Sequence, residues 1–362
     1  MKRAGGIRTR PKRGEYPAAL IIAGGRGTRF WPASREERPK PLFSIGKGST
    51  LLGDTIARLK GVVPRERIFV LATAAQENAF RKALRNLLPA SNLVLEPEGR
   101  GTAVAIAYGA AVIRERLGES TVAVMPADHY ITPAERFRET LREAIGLARA
   151  QQSIVVIGVA PSRPETGYGY QEVGAAVEGG FRVKRFVEKP SLAVARRMLR
   201  SGRFLWNAGM FVMDTATLRA EFAAHCPKLA EAMDALGRMR AGALARAYRG
   251  FTLDSFDRVI VEKSQNVLGV RAGFQWHDVG TWEGLWEALG GRVDNVLVGE
   301  VLALESDGVL AHSSSRLMVL LGVKDIVAVD TPDALLIIDR ARSQETRRVT
   351  EELKRRGLSQ YL

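Results

Sequence analysis

A short apolar run, Ala18–Ala23, breaks into Gly24-Gly25-Arg26-Gly27-Thr28-Arg29, and Lys40 follows eleven residues after Arg29 within "RPKP". Glycines let a backbone come close to an anion and present its N–H groups as donors. Arg29 and Lys40 add full positive charges, and Pro32, Pro39 and Pro41 stiffen the segment that carries them. The chemistry this suits is the binding of phosphate groups. Two familiar phosphate loops do not fit the spacing. A dinucleotide fingerprint starting at Gly25 has Phe30 in its third glycine position. The Walker pattern fails at "GKGST", Gly46–Thr50, where Pro41 replaces the first glycine and Gly48 follows the lysine. The loop therefore serves neither a dinucleotide oxidoreductase nor a P-loop hydrolase.

The loop needs a scaffold, and the alternation of patterns supplies one. Ala18–Ala23, Arg67–Leu71, Asn92–Leu95, Thr121–Met125 and Ser153–Val159 read as strands. Helical stretches lie between them near Leu51–Leu59, Ala74–Leu87, Thr102–Arg116 and Pro133–Ala150. In the last, Thr132 and Glu135 form a capping-box pattern with Pro133 at the first helical position. Such alternation predicts an α/β fold with a mostly parallel, doubly wound, Rossmann-like sheet. Ligands collect beyond the carboxyl ends of its strands, where both the glycine loop and "PADH", Pro126–His129, fall.

The middle differs. "TGYGYQEV", "FRVKRFVEKP" and "RFLWNAGMFVM" read as antiparallel strands inserted among helices, which makes the sheet mixed. From about Asn295 short β segments recur with regular turn signals, and a charged helix, Ser343–Arg356, follows. The division expected is an arm over 1–15, a catalytic domain over 16–290 and a small β-rich domain over 291–362, built from stacked β turns.

With 362 residues, 46% hydrophobic and 26% charged, the chain has the composition of a soluble globular protein. No apolar run is long enough to span a bilayer, and no membrane partner is expected. The single cysteine, Cys226, excludes an internal disulfide, and a cytoplasmic setting is expected. The net charge is +15, and Lys2, Arg3, Arg8, Arg10, Lys12 and Arg13 crowd an arm expected to be disordered. No aromatic interleaving or known module accompanies them, so a nucleic-acid partner is not expected.

The opening segment resembles the signature of the sugar nucleotidyltransferases, G-G-x-G-T-R-x-x-P followed by P-K. The tryptophan and "SR" of "RFWPASR" point within it to the mannose-1-phosphate guanylyltransferases. "VMPADHYI", "PETGYGYQEV", "FVEKP", "FLWNAGMFVM", "SFDRVIVEKS" and "WHDVGTWEGLWEAL" follow in that family's order. The resemblance covers nearly all of the chain after Tyr16. It implies transfer of GMP from GTP to α-D-mannose 1-phosphate, giving GDP-mannose and pyrophosphate by in-line attack without a covalent enzyme intermediate. Another sugar 1-phosphate and nucleotide pair, or a non-catalytic regulatory relative, are the alternatives.

The resemblance also implies roles. Arg29 lies on the leaving pyrophosphate and Lys40 on the α-phosphate. Ala23, Gly24, Gly25, Gly27 and Thr28 hold the nucleotide phosphates, and Gly101 and Thr102 contact base and ribose. Asp128 and Asp278 meet across the cleft and hold Mg²⁺, a cation that favours carboxylate and phosphate oxygens. His129 and His277 flank the two aspartates and suggest a metal–histidine site as the other arrangement. Gly169, Glu188, Lys189 and Asn207 take the sugar phosphate: Glu188 accepts from hydroxyls, Asn207 donates and accepts, Gly169 admits the ring, and Lys189 pairs with the phosphate. Trp206, Phe211, Trp276, Trp282 and Trp286 are expected in the core. Relatives commonly read "PKQF" and "NTAPAI" where this chain has "PKPL" and "GTAVAI", so no single residue is identified as selecting guanine. The family implies dimers, and no isomerase activity of a fused cupin domain is expected.

Overall fold

The computed structural model describes residues 16–362 apart from 26, 36, 46–47, 252–253 and 292–293. The basic arm, Arg26 and the Gly46-Lys47 pair thus lie outside the described residues. Strands β1 (Ala18–Ile22), β2 (Ile68–Thr73), β3 (Leu93–Glu96) and β4 (Thr121–Pro126) run parallel, with β1 between β2 and β4. Their side chains are buried on both faces because helices cover the sheet on either side. Those helices are α1 (Leu51–Arg58), α2 (Glu77–Leu84), α3 (Thr102–Leu117) and α4 (Ala134–Gln151). The alanine-rich face of α3 packs tightly on β1. A Cβ on Gly109 would fall 2.4 Å from the Leu20 side chain.

Two predicted helix starts in this half of the chain shift. The stretch from Ala74 opens as a 3₁₀ turn, and the α-helix covers only Glu77–Leu84. The capping box at Thr132 does not form. Thr132 belongs to strand β5 (Tyr130–Thr132), Pro133 is itself the cap, and Glu135 instead accepts from Arg138 at 2.5 Å. Tertiary pairing of β5 has taken the threonine that local pattern assigned to the helix.

The second half completes the mixed sheet with β6 (Ile154–Val159), the hairpin β7 (Tyr170–Val177) and β8 (Gly180–Val187), β9 (Phe204–Asp214) and β10 (Val267–Arg271). Helices α5 (Leu192–Ser201), α6 (Thr215–His225), α7 (Pro227–Leu236) and α8 (Ala241–Arg249) connect them. The nine-stranded order is β3-β2-β1-β4-β9-β6-β10-β8-β7. Long β9 enters antiparallel between β4 and β6, so the sheet is mixed, as the reading of "RFLWNAGMFVM" predicts. A separate two-stranded pairing joins β5 to β11 (Gln275–His277), with His277 opposite Tyr130, ahead of α9 (Trp282–Ala288).

The C-terminal β segments are β12 (Val296–Val298), β13 (Val301–Leu304), β14 (Leu310–Ser313), β15 (Met318–Leu321), β16 (Ile326–Asp330) and β17 (Leu335–Asp339). β12, β14 and β16 stack in parallel, β13 stacks on β15, and β17 closes one side antiparallel to β16. This is a short parallel coil, the stacked turns expected. At one corner Gly299 has φ +85°, and a Cβ there would lie 2.1 Å from the Ser313 carbonyl oxygen. The charged terminal helix starts later than predicted: Arg340–Glu345 is 3₁₀, and α10 runs Thr346–Arg355.

Candidate active site

Lys40 is the centre of the site. It starts a 3₁₀ turn, Lys40–Leu42, between Pro39 and Pro41, and is buried. Its Nζ donates to Asp128 Oδ2 at 2.6 Å and to the Asp278 carbonyl at 3.2 Å, and stands 5.2 Å from the Phe30 ring centroid. Asp128 leaves the carboxyl end of β4, and Asp278 directly follows β11. Pairing of β5 with β11 is what brings these residues, 150 positions apart, to one lysine. Burial alone would raise the Asp128 pKa, but the charge and hydrogen bond of Lys40 outweigh it and hold the carboxylate below its usual range.

The glycine loop is folded against the same lysine. Gly27 has φ +58°, and a Cβ there would lie 2.6 Å from Lys40 Cβ and 2.8 Å from Ser34 Oγ. Only glycine fits both the left-handed conformation and that closeness. Ala23 is buried at the end of β1, while Gly25 and Arg29 are exposed. Thr28 begins a 3₁₀ turn, Thr28–Phe30. Arg29 faces a cavity of about 630 Å³ shared with Lys189, Tyr168, Arg163 and Asp278.

Tyr168 and Arg163 were not singled out from sequence, although Tyr168 lies within the quoted "TGYG". The Tyr168 hydroxyl donates to Asp278 Oδ1 at 2.8 Å, and the Gly280 N–H donates to the same oxygen at 3.1 Å. Burial first, and then Asp278, push the phenol pKa well above its ordinary value, so it stays a donor. Its ring is wedged edge-on against Trp206 and Trp276. Arg163 pairs with Glu165 and Glu287, each at 3.1 Å. Trp206, Phe211, Trp276, Trp282 and Trp286 are buried in the core as expected.

The sugar candidates come together. Asn207 N–H donates to the Gly169 carbonyl at 2.8 Å, and a Cβ on Gly169 would lie 2.7 Å from Glu188 Oε2. Gly169 thus makes room for Glu188, a role not read from sequence. Lys189, in the left-handed region at φ +49°, donates to Glu188 Oε1 at 2.8 Å. Asn207 Nδ2 donates to Asp257 Oδ1 at 2.7 Å, and its Oδ1 accepts from Gly209 N–H at 3.1 Å, which fixes the amide. Asp257 opens a π-helical turn, Asp257–Val261, and burial followed by repulsion from Glu188 pushes it up to about 7.

Gly101 caps α3 at φ +92°, and the Thr102 hydroxyl accepts from Phe256 N–H at 2.9 Å, tying the two segments together. Glu96, at the end of β3, is a second residue that sequence reasoning missed. It is buried to 3% exposure, its Oε1 would lie 2.8 Å from a Cβ on Gly24, and its Oε2 has no hydrogen-bond partner among the described residues. Desolvation pushes it up to about 7. His129 is buried, and its Nδ1 accepts from Trp276 Nε1 at 3.0 Å. Burial lowers it to about 4, so it is a neutral packing residue, and among the described residues no cluster of three or more metal-binding side chains occurs. Asp128 and Asp278 supply hard carboxylate oxygens, the donor type a divalent cation of the magnesium class takes, whereas His129 is neutral and already bonded to Trp276.

A family model for nucleotidyl transferase matches residues 18–292. The chain belongs to the nucleotidyl transferase family. A second model, the MannoseP isomerase/GMP-like beta-helix domain, matches 299–353 within the C-terminal coil. The mannose-1-phosphate guanylyltransferase of Escherichia coli K12 is 34% identical over 96% of this chain and 75% of its own. The xanthan biosynthesis protein XanB of Xanthomonas campestris strain B100 is 35% identical over 94% of this chain and 74% of its own. The crystal structure of mannose-1-phosphate geranyltransferase from Thermus thermophilus superposes with a TM-score of 0.86 at 36% identity, over 93% of this chain and 99% of that one. This transferase family sets the class of chemistry that the site performs. No described helix is long and apolar enough to cross a membrane.

Proposed function

We propose that the chain transfers GMP from GTP to α-D-mannose 1-phosphate, releasing pyrophosphate, in a cytoplasmic setting. The observation that carries this reading is Lys40, buried between Asp128 and Asp278 at the edge of a glycine loop. A phosphate oxygen of the sugar phosphate attacks the α-phosphorus of GTP. As that P–O bond forms, the bond to the β-phosphate oxygen breaks and pyrophosphate departs with the electron pair. No proton need move in this exchange, so catalysis is alignment and charge stabilisation.

Gly24, Gly25 and Gly27 admit the triphosphate backbone, Lys40 neutralises charge at the α-phosphate, and Arg29 holds the leaving pyrophosphate. Tyr168 orients Asp278 through its hydroxyl. A Mg²⁺ held by Asp128 and Asp278 would supply further phosphate charge neutralisation. Glu188 and the fixed amide of Asn207 read sugar hydroxyls, and Lys189 turns from Glu188 to the sugar phosphate. Gly101 and Thr102, at the start of α3, face base and ribose.

We also propose a homodimer through the C-terminal coil. Leu302 pairs with Val319 and Leu304 with Leu321 across β13 and β15, and all four are exposed, as are Leu335 and Ile337 on β17. An apolar surface of this kind is an association face, and sedimentation of the full chain checks it. The function is tested by pyrophosphate release with Mg²⁺ across several nucleotides and sugar 1-phosphates. GTP with mannose 1-phosphate should turn over fastest. No turnover of any pair refutes an enzyme, and a preference for UTP or dTTP with glucose 1-phosphate replaces the substrate reading.

A further inference from the structure

The segment between Arg29 and Lys40 is held from outside the catalytic domain. Arg35 grips Asp333, in the β16–β17 turn of the coil, through both terminal nitrogens: Nη2 to Oδ1 at 2.7 Å and Nη1 to Oδ2. The same guanidinium returns Nε to the Pro32 carbonyl at 3.1 Å. Arg35 and Arg38 exchange backbone hydrogen bonds at 2.9 and 3.1 Å, closing a turn that leads through Pro39 into Lys40. On the other side Trp31 Nε1 donates to the Tyr361 carbonyl at 2.7 Å, next to the last residue, and Trp282 Nε1 donates to the Trp31 carbonyl at 3.2 Å. The loop is thus pinned at Trp31 and Arg35 by residues 251 or more positions away.

We propose that Arg35 and Asp333 are a positioning pair: the C-terminal coil sets the place of Lys40, and through it the alignment of the transfer. This rests on the nucleotidyl transfer proposed above. A bidentate arginine–carboxylate pair fixes distance and plane together, which a lysine in place of the arginine does not. Asp333 keeps 47% of its side chain exposed and Arg35 13%, so the thermal midpoint reads what the pair itself adds to stability. A large effect of its removal on turnover with a nearly unchanged midpoint reports positioning and not folding.

The experiment compares Asp333→Ala, Arg35→Ala, Arg35→Lys and the double alanine variant in the full chain. Each is measured for kcat and KM with the best substrate pair, for thermal midpoint, and for hydrogen exchange over residues 27–43 without substrate. Expected is a kcat loss of ~10-fold with KM for the nucleotide changed less than ~3-fold, the scale of a small misplacement of a catalytic group. The double variant should lose no more than either single one, and Arg35→Lys should not restore kcat. Exchange over 27–43 should rise while the midpoint stays within a few degrees. Unchanged kcat or unchanged exchange overturns the clamp, as does a kcat loss that tracks the fraction unfolded. If the wild-type chain turns over no pair, the functional reading fails, and exchange alone still decides whether the clamp holds the loop.

Discussion

Asp128 and Asp257 are both partly buried, yet desolvation loses at the first and wins at the second. Asp128 has an ammonium at 2.6 Å and is held below the usual carboxylate range. Asp257 has an amide donor, Asn207 Nδ2 at 2.7 Å, and a second acid, Glu188, nearby, and it rises to about 7. The pairing cation, rather than the aspartate itself, decides which carboxylate is fully charged at neutral pH. Charge is kept at the proposed phosphate end, beside Lys40. At the proposed sugar end a carboxyl pushed up to about 7 braces the Asn207 amide.

Removing the cation breaks the contrast most sharply. Lys40→Ala should lower kcat by ~100-fold or more, the scale of a lost preorganised electrostatic contact. It also leaves Asp128 without its 2.6 Å partner. Steady-state pyrophosphate release checks this, and a near-normal kcat sinks the role of Lys40. Asp278→Asn comes next: the amide is a poorer ligand for a hard cation, so kcat should fall ~30-fold and the Mg²⁺ concentration for half-maximal rate should rise. A Mg²⁺ titration that superposes on wild type would remove Asp278 from the metal site.

At the sugar end the effect should be smaller and selective. Glu188→Gln should raise KM for mannose 1-phosphate by ~10-fold, about one charged hydrogen bond, with KM for GTP nearly unchanged. Equal shifts in both constants would place Glu188 elsewhere.

The last prediction is read in stability and leaves turnover aside: Glu96, like Asp257, is pushed up to about 7 but faces the glycine loop. An acid whose folded pKa exceeds its unfolded value binds the extra proton in the folded state. Its contribution is fully present below about 4.5, declines as pH rises toward about 7, and is constant above. Glu96→Gln carries no such charge. Its stability relative to wild type should therefore improve from pH 4.5 to pH 8, by up to roughly 3 kcal/mol. Urea unfolding at the two pH values checks this, and a gap that stays constant with pH would show that Glu96 titrates normally.

Much of the catalytic domain was legible because its signals are local. The apolar runs that became β1 to β4, and the glycines after β1, announce a parallel layer and a phosphate loop at its carboxyl edge. Gly27 was legible as a loop glycine, but its contact with Lys40 Cβ was not. Errors fell where tertiary pairing overrode local preference. Thr132 went to a strand instead of a cap; the antiparallel sense of β9 was legible, but its place between β4 and β6 was not. Tyr168 and Glu96 were missed for a related reason. Tyr168 is defined by its distance to Asp278, 110 positions away, and Glu96 by burial and an Oε2 that has no hydrogen-bond partner among the described residues.

By itself the sequence determined which segments are strands and helices, where glycine and proline shape the loop, and which side chains are chemically able to handle phosphate. These depend on periodicity and on conformational preference over a few residues. Only the tertiary structure decided that Asp128 and Asp278 share one lysine, that Asp257 and Glu96 are poised near neutrality, and that the C-terminal coil holds Arg35. Electrostatic state depends on what approaches within a few ångströms and on how much water is excluded, and chain separation does not encode either one.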